Sequence, residues 1–396
     1  MPGNTRKSIY DNTYTNTQQH TQSAGELPPL PEPPGYFAEP EPVPSVQSNA
    51  DLFEEYRKEV QENRAGSPLN IGFPLLGDTI RTALCKGLIC LGAAPSAGKT
   101  TFIMQMAYSI ATRSGRDVLM FALEMSRNEL IARDISRLTF LFSRDGKEKG
   151  APRNVTELLS GCTFDPRSGE RVNFSKADAA LIERAEREYQ AAAQRIYIFE
   201  SPGEMKASQI DAIARKFAQE HPNNGKPPVI FVDYLQLLAA EDPRQDERRA
   251  ITQSTITFKN LSRDLKTPVF IISATARANY YETDPEGFGK ESGIVEYSAD
   301  TTLFMQYSVC FDNLRRNEKI TAVKEAENKP ERDIVLSVIK NRAGRRSQRI
   351  RYKYSSTYNA FEEMGFFTKP PKTQSQSKGR KRKADIDDDD DYDYDF

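Results

Sequence analysis

Histidine and cysteine are scarce in this chain of 396 residues, with two of the first and four of the second. The cysteines, Cys85, Cys90, Cys162 and Cys310, fall at spacings that make neither a zinc knuckle nor the framework of a small secreted domain. A structural metal is therefore not expected, and the thiols suit a reducing compartment. Also missing is any apolar run long enough to span a bilayer, and residues 1–50 hold no apolar stretch of the kind an export signal needs. A cytoplasmic protein without a membrane partner is expected. Hydrophobic residues make up 38% of the chain, below the usual globular share, and the shortage lies in the two ends.

The formal charge of −1 conceals an asymmetry. Eight aspartates lie between Asp385 and Asp395; without them 55 basic residues face 48 acidic ones, so residues 1–384 carry +7. A basic body with an acidic tail suits a polyanion such as nucleic acid, and is also the pattern of a solvating tail. Residues 1–50 are rich in Thr, Gln and Asn and then in proline, through Leu27–Pro34 and Glu39–Pro44, which predicts a disordered or polyproline II arm serving as spacer or docking ligand. Residues 51–67 read as a short linker helix with Leu52, Phe53, Tyr56 and Val60 on one face. From Lys369 the chain turns polar, then basic over Lys378–Lys383, then acidic. A compact domain is thus expected over 68–367, flanked by disordered arms at 1–50 and 368–396.

Within 68–367, short apolar runs at Leu88–Leu91, Val118–Leu123, Ile196–Phe199, Val229–Val232 and Val269–Ile272 alternate with helical patterns at Lys99–Ser114, Arg127–Phe142, Ala207–Glu220 and Ile251–Leu265. Runs of this kind belong to a mostly parallel sheet covered on both faces, so the fold class is α/β. Residues 143–195 break the alternation with a charged stretch and a helix over Lys176–Gln194, read as a helical insertion. After Thr301 the pattern becomes that of hairpin strands, at Thr301–Gln306, Ile334–Lys340 and Arg349–Tyr354, with a turn at Ala343 and Gly344.

The segment Gly92, Ala93, Ala94, Pro95, Ser96, Ala97, Gly98, Lys99, Thr100, Thr101 follows an apolar strand and opens an amphipathic helix. Backbone N–H groups and a helix N-terminus in that setting surround phosphate oxygens, with Lys99 reaching the β- and γ-phosphates of ATP and the Thr100 hydroxyl binding Mg2+. The first glycine of the consensus is Ala93 here, with Gly92 one place earlier. Two further strands end in carboxylates, at Glu124 and Asp233. In a parallel sheet all C-terminal strand ends share one edge, so the loop, Glu124, Asp233 and Ser273 should converge, Asp233 on the metal and Glu124 as base for the attacking water. Lys340, Arg342, Arg345, Arg346, Arg349 and Arg351 make the hairpin basic, which reads as a solvated face or, in a ring, as a source for Arg342 to reach a neighbour's γ-phosphate.

These residues together resemble the RecA-like C-terminal motor of DnaB-type hexameric helicases. The resemblance rests on Gly92–Thr101, Phe121–Met125, Val232–Leu237, Glu291–Glu296 with Ala299 and Asp300, and Lys340–Arg342, in the family's order across residues 70–366. It implies Glu124 as catalytic glutamate, Asp233 as magnesium aspartate, and Lys340 with Arg342 as groups reaching the adjacent subunit's nucleotide. It further implies a homohexameric ring, and a loop of Lys290, Glu291, Ser292 and Gly293 following single-stranded DNA through the central channel.

The sequence departs from that family in three places. Ala274 stands where the family usually carries a glutamine that senses the γ-phosphate, leaving Ser273, Thr275 or Arg277 for that task. Residues 1–66 do not read as the family's helical N-terminal domain, which points to a relative from a phage, plasmid or mobile element. Residues 143–195 have no assigned role. The acidic tail ending in Phe396 is similar to that of bacterial single-strand-binding proteins, which implies docking to replication proteins; Gly379–Lys383 also reads as a nuclear signal. Two other functions are compatible with the motifs: a RecA- or KaiC-like regulatory or recombination ATPase, and a nucleotide-gated adaptor docking partners through its tails.

Overall fold

The computed structural model describes residues 47–65, 68–146, 149–201, 203–223, 225–275, 280–282, 298–342, 344 and 347–368. The sequence-read DNA loop at Lys290, Glu291, Ser292 and Gly293, together with Arg277, Ala343, Arg345, Arg346 and residues 1–46 and 369–396 of the two arms, lies outside them. Residues 53–65 form a helix, α1 (Phe53–Ala65), on which Phe53 and Tyr56 are exposed with ring centroids 5.7 Å apart.

The core begins with α2 (Pro74–Thr79) and β1 (Gly87–Ala93), followed by α3 (Lys99–Arg113), β2 (Val118–Ala122) and α4 (Arg127–Arg144). Residues 143–195 then hold α5 (Val155–Ser160), a small hairpin of β3 (Thr163–Phe164) and β4 (Arg171–Val172), and α6 (Lys176–Ala193). Next come β5 (Ile196–Glu200), β6 (Met205–Lys206), α7 (Ala207–Glu220), β7 (Val229–Asp233), β8 (Leu238–Ala239), α8 (Glu247–Asp264) and β9 (Pro268–Ser273). The chain closes with β10 (Thr301–Tyr307), α9 (Arg316–Glu327), β11 (Glu331–Asn341), β12 (Arg349–Ser355) and β13 (Ala360–Phe366).

Nine strands form one sheet in the order β13-β12-β11-β10-β1-β9-β7-β2-β5. The six from β10 to β5 are parallel and the last three of the chain add to the edge antiparallel. The expected mostly parallel α/β architecture is what the chain forms. Its unbroken apolar runs have a plain cause, because side chains alternate between faces and both faces are covered. Ile89 and Leu91 of β1, Met120 of β2, Phe231 of β7 and Phe270 of β9 enter one core with Phe102, Met106 and Ile110 of α3. Their neighbours Leu88, Cys90, Leu119, Ile230 and Val269 enter the other, beneath Ile210 of α7 and Phe258 and Leu261 of α8. Each such fully buried side chain contributes about 1.5–3 kcal/mol of transfer free energy.

Strand β1 occupies the centre, with β10 on one side and β9 on the other. The strand order reverses there, so the C-terminal end of β1 opens a crevice of the kind in which α/β sheets bind ligands.

Candidate phosphate and metal site

The loop after β1 turns sharply into α3. Ser96 (φ 55°) and Gly98 (φ 89°) both lie in the left-handed region. At Gly98 a Cβ would come within 2.8 Å of the rings of Phe361 and Tyr354, so glycine is required by space as well as by φ. Among the described residues no side chain caps α3, whose first residue is Lys99. Its first-turn N–H groups therefore face the crevice as donors for an anion, aided by the helix dipole. The loop is tied from behind: Ala94 N–H donates to the Met305 carbonyl at 3.0 Å and the Arg332 guanidinium to the Ser96 carbonyl at 2.6 Å.

The Thr100 hydroxyl donates to the Asp233 carboxylate at 2.7 Å, joining the start of α3 to the end of β7. Asp233 is 3% exposed, and burial raises its pKa to about 6; the Thr100 hydrogen bond and the Lys99 charge oppose that shift while Glu124 adds to it. Burial likewise lowers the Lys99 pKa, against the pull of Asp233 and Glu124. Glu124 lies two residues beyond β2, exposed, and near enough for its charge to act on both. Asp233 pairs with Ala122 across the two strands, so Glu124 follows two residues beyond that level at the same sheet edge. A hydroxyl and a buried carboxylate beside an anion-binding helix end are the oxygen donors that Mg2+ takes when it also keeps phosphate oxygens and waters. Among the described residues no cluster of three or more His, Cys, Asp or Glu could hold a metal by itself.

Lys99, Thr100, Asp233 and Glu124 are thus brought together. Ser273 pairs with Gly92 at the end of β1, and a residue that the sequence had not assigned holds it: the Gln236 amide donates to the Ser273 hydroxyl at 3.0 Å and accepts the Ala274 N–H at 2.8 Å. An amide group therefore sits beside Ala274 although position 274 itself has none. Thr275 is buried with a hydroxyl that finds no hydrogen-bond partner among the described residues.

Arg342 and Lys340 lie elsewhere. Asn341 pairs with Thr301 on β10, and Thr301 with Ile89 on β1, whereas the phosphate loop leaves β1 at the level of Met305. Four strand residues, roughly 13 Å, separate the two levels. Arg342 is held where it stands by Asp300, which accepts from its guanidinium at 3.5 Å while the Asp300 carbonyl accepts the Arg342 N–H at 3.0 Å. The other Asp300 oxygen accepts the Leu88 N–H at 2.9 Å and pairs with Lys259 of α8.

A cavity of about 660 Å3 opens beside the loop, bordered by Ser96, Gly98, Arg133, Arg332, Tyr354 and Asn359. Arg133 of α4 donates to Thr101 at 3.1 Å and to Asn359 at 3.2 Å, and its charge also acts on Asp233. Arg133, Arg332 and Tyr354 went unread in the sequence because no spacing links them; pairing of β11, β12 and β13 brings the last two to the loop.

A left-handed glycine before an uncapped helix, with a lysine and a Thr–Asp pair at the switch point of a parallel sheet, defines a P-loop protein of the RecA-like α/β class. Comparison with known proteins narrows this. The family model for the DnaB-like helicase C-terminal domain matches residues 69–157 and 158–363. Replicative DNA helicase DnaB of Helicobacter pylori is 27% identical over 284 residues, 71% of this chain and 51% of that protein. A solved structure of the ATPase domain of G40P superposes with a TM-score of 0.62 at 21% identity, covering 81% of this chain and all of the other. A structure of a DnaB-like replicative helicase, described with its interactions with primase, gives 0.59, covering 80% and 68%. The chain belongs to the DnaB-like helicase C-terminal domain family. It spans about half the length of the curated relatives it matches.

Proposed function

We propose that this chain is the ATP-hydrolysing motor of a hexameric DNA helicase that moves along single-stranded DNA during replication of a phage, plasmid or mobile element. The observation that carries this reading is the Thr100–Asp233 hydrogen bond beside Lys99, with Lys340 and Arg342 displaced to the far end of the same sheet. The first group holds a nucleotide; the second is out of reach of it and serves a neighbour's.

In this reading the N-terminus of α3 and Lys99 receive the phosphates, and Thr100 and Asp233 hold Mg2+. Held there by Thr100 and Asp233, the ion would supply charge neutralisation for the phosphates. Glu124, exposed at the rim, accepts the proton of the attacking water, and Arg342 with Lys340 of the adjacent subunit steadies charge on the transferred phosphoryl group. Lys290, Glu291, Ser292 and Gly293 follow the DNA strand. The acidic tail ending in Phe396 docks replication partners, and the setting is cytoplasmic. The resemblance supports these assignments, and the basic body of the chain suits a nucleic-acid partner. Among the described residues no helix is long and apolar enough to cross a membrane.

The test is ATP turnover with and without single-stranded DNA, together with opening of a forked duplex. Turnover should rise with DNA, unwinding should require ATP, and Lys99→Ala should abolish both. ATP turnover that ignores DNA, in a preparation that opens no fork, sinks the proposal.

A further inference from the structure

We infer that the β3–β4 hairpin forms a wall of the nucleotide site, with Phe164 meeting the base of a purine nucleoside triphosphate. The inference deepens the proposed ATP-hydrolysing function and rests on it. The 660 Å3 cavity is lined by Ser96 and Gly98 of the phosphate loop, by Arg332 and Tyr354, and by Thr163 and Phe164 on the hairpin. Its volume lies within the range of about 300–1,000 Å3 usual for small-ligand sites. With phosphates at the start of α3, the remainder of the nucleotide has this contiguous space to enter.

The hairpin is mounted firmly enough to serve as a wall. Thr163 donates to Glu157 of α5 at 2.8 Å, and Arg171 donates to the Ser160 carbonyl at 2.8 Å and to the Cys162 sulfur at 3.2 Å. Glu157 is tied in turn to Arg153 at 3.2 Å, and Arg153 to Asp178 of α6 at 2.6 Å. At the tip, Asp165 accepts the N–H groups of Arg167 and Ser168, each at 2.8 Å. Phe164 nevertheless remains 40% exposed, an aromatic surface left wet on a fixed support. A flat base placed against it removes that surface from water and stacks on its ring. The two stretches matched by the family model meet at residues 157 and 158, at the foot of this hairpin.

Contact with the base is the same before and during phosphoryl transfer, so its loss should alter binding and not turnover. Phe164→Ala should weaken ATP binding about tenfold, seen as a higher KM at unchanged kcat, and Phe164→Tyr should restore it. Inorganic tripolyphosphate, which has phosphates and no nucleoside, should bind the wild type and Phe164→Ala equally. ATP affinity unchanged in a folded Phe164→Ala protein overturns the wall alone, as does an equal loss for ATP and tripolyphosphate, which would mean that the hairpin acts on the loop. Wild-type protein that binds neither compound overturns the nucleotide reading and the wall with it.

Discussion

The two ends of the central sheet carry opposite kinds of chemistry. At the C-terminal end of β1 and β7 the charges are coupled: half-buried Lys99 and buried Asp233 each lose hydration, and each is shifted toward its neutral form by that loss. At the other end, Arg342 is 52% exposed and braced by Asp300, which also grips the start of β1. One end is a receptacle with unmet electrostatic demand; the other offers an outward cation on a rigid mount. In the proposed ring, the receptacle of one copy would meet the arginine of the next, since within one copy four strand residues separate the two levels.

The sharpest way to break this comparison is Arg342→Ala, which should lower ATP turnover about 1,000- to 100,000-fold while nucleotide binding persists. Mixing it with Lys99→Ala chains should recover part of the rate, because an intact loop then meets an intact arginine. Recovery absent from mixed rings shows that the two ends do not meet. Glu124→Gln should slow turnover roughly 100- to 10,000-fold without raising KM, measurable by single-turnover kinetics. Gly98→Ala should destabilise the domain by about 2–4 kcal/mol in urea titrations, since the added methyl meets Tyr354 and Phe361 at a left-handed φ. Asp300→Asn leaves Arg342 in place but poorly held, and should cost about tenfold in kcat at constant KM.

The smallest effect is one of pH. Asp233 takes up its proton near pH 6, so Mg2+ affinity should weaken as pH falls through that value, and Asp233→Asn should remove the dependence along with most of the affinity. The stability linkage has a definite sign. A carboxyl whose folded pKa is raised holds its proton more tightly folded than unfolded, so without nucleotide this group lowers stability as pH rises from about 4 to 6, with no further change above. Thermal melting of the wild type against Asp233→Asn across that window measures it.

Much of this was legible in the sequence because strands β1, β2, β7 and β9 are apolar runs that stop abruptly at a glycine-rich loop, Glu124, Asp233 and Ser273. A strand buried on both faces has no other way to end at a polar site. The antiparallel edge was harder to read. Strand β13 carries Glu362 and Glu363 in mid-run, and α9 buries little beyond Lys319 and Val323, so neither shows a clear apolar period. The same holds at the site, where Arg133, Gln236, Arg332 and Tyr354 come from four separate elements and meet only through packing and strand pairing.

Glu363 illustrates how far apart such partners lie. Helix α2 has no cap from its own neighbourhood; its Leu75 and Leu76 N–H groups donate instead to the Glu363 carboxylate, at 2.8 and 3.1 Å, and the buried Tyr352 hydroxyl donates to the same group at 3.0 Å. The first helix of the core is thus closed by the last strand. On the ribosome, where residues emerge in order, α2 has no acceptor for these donors until nearly the whole domain has been made. Its capping thus waits on the far end of the domain, and every chain cut short before residue 363 leaves its own beginning without that carboxylate.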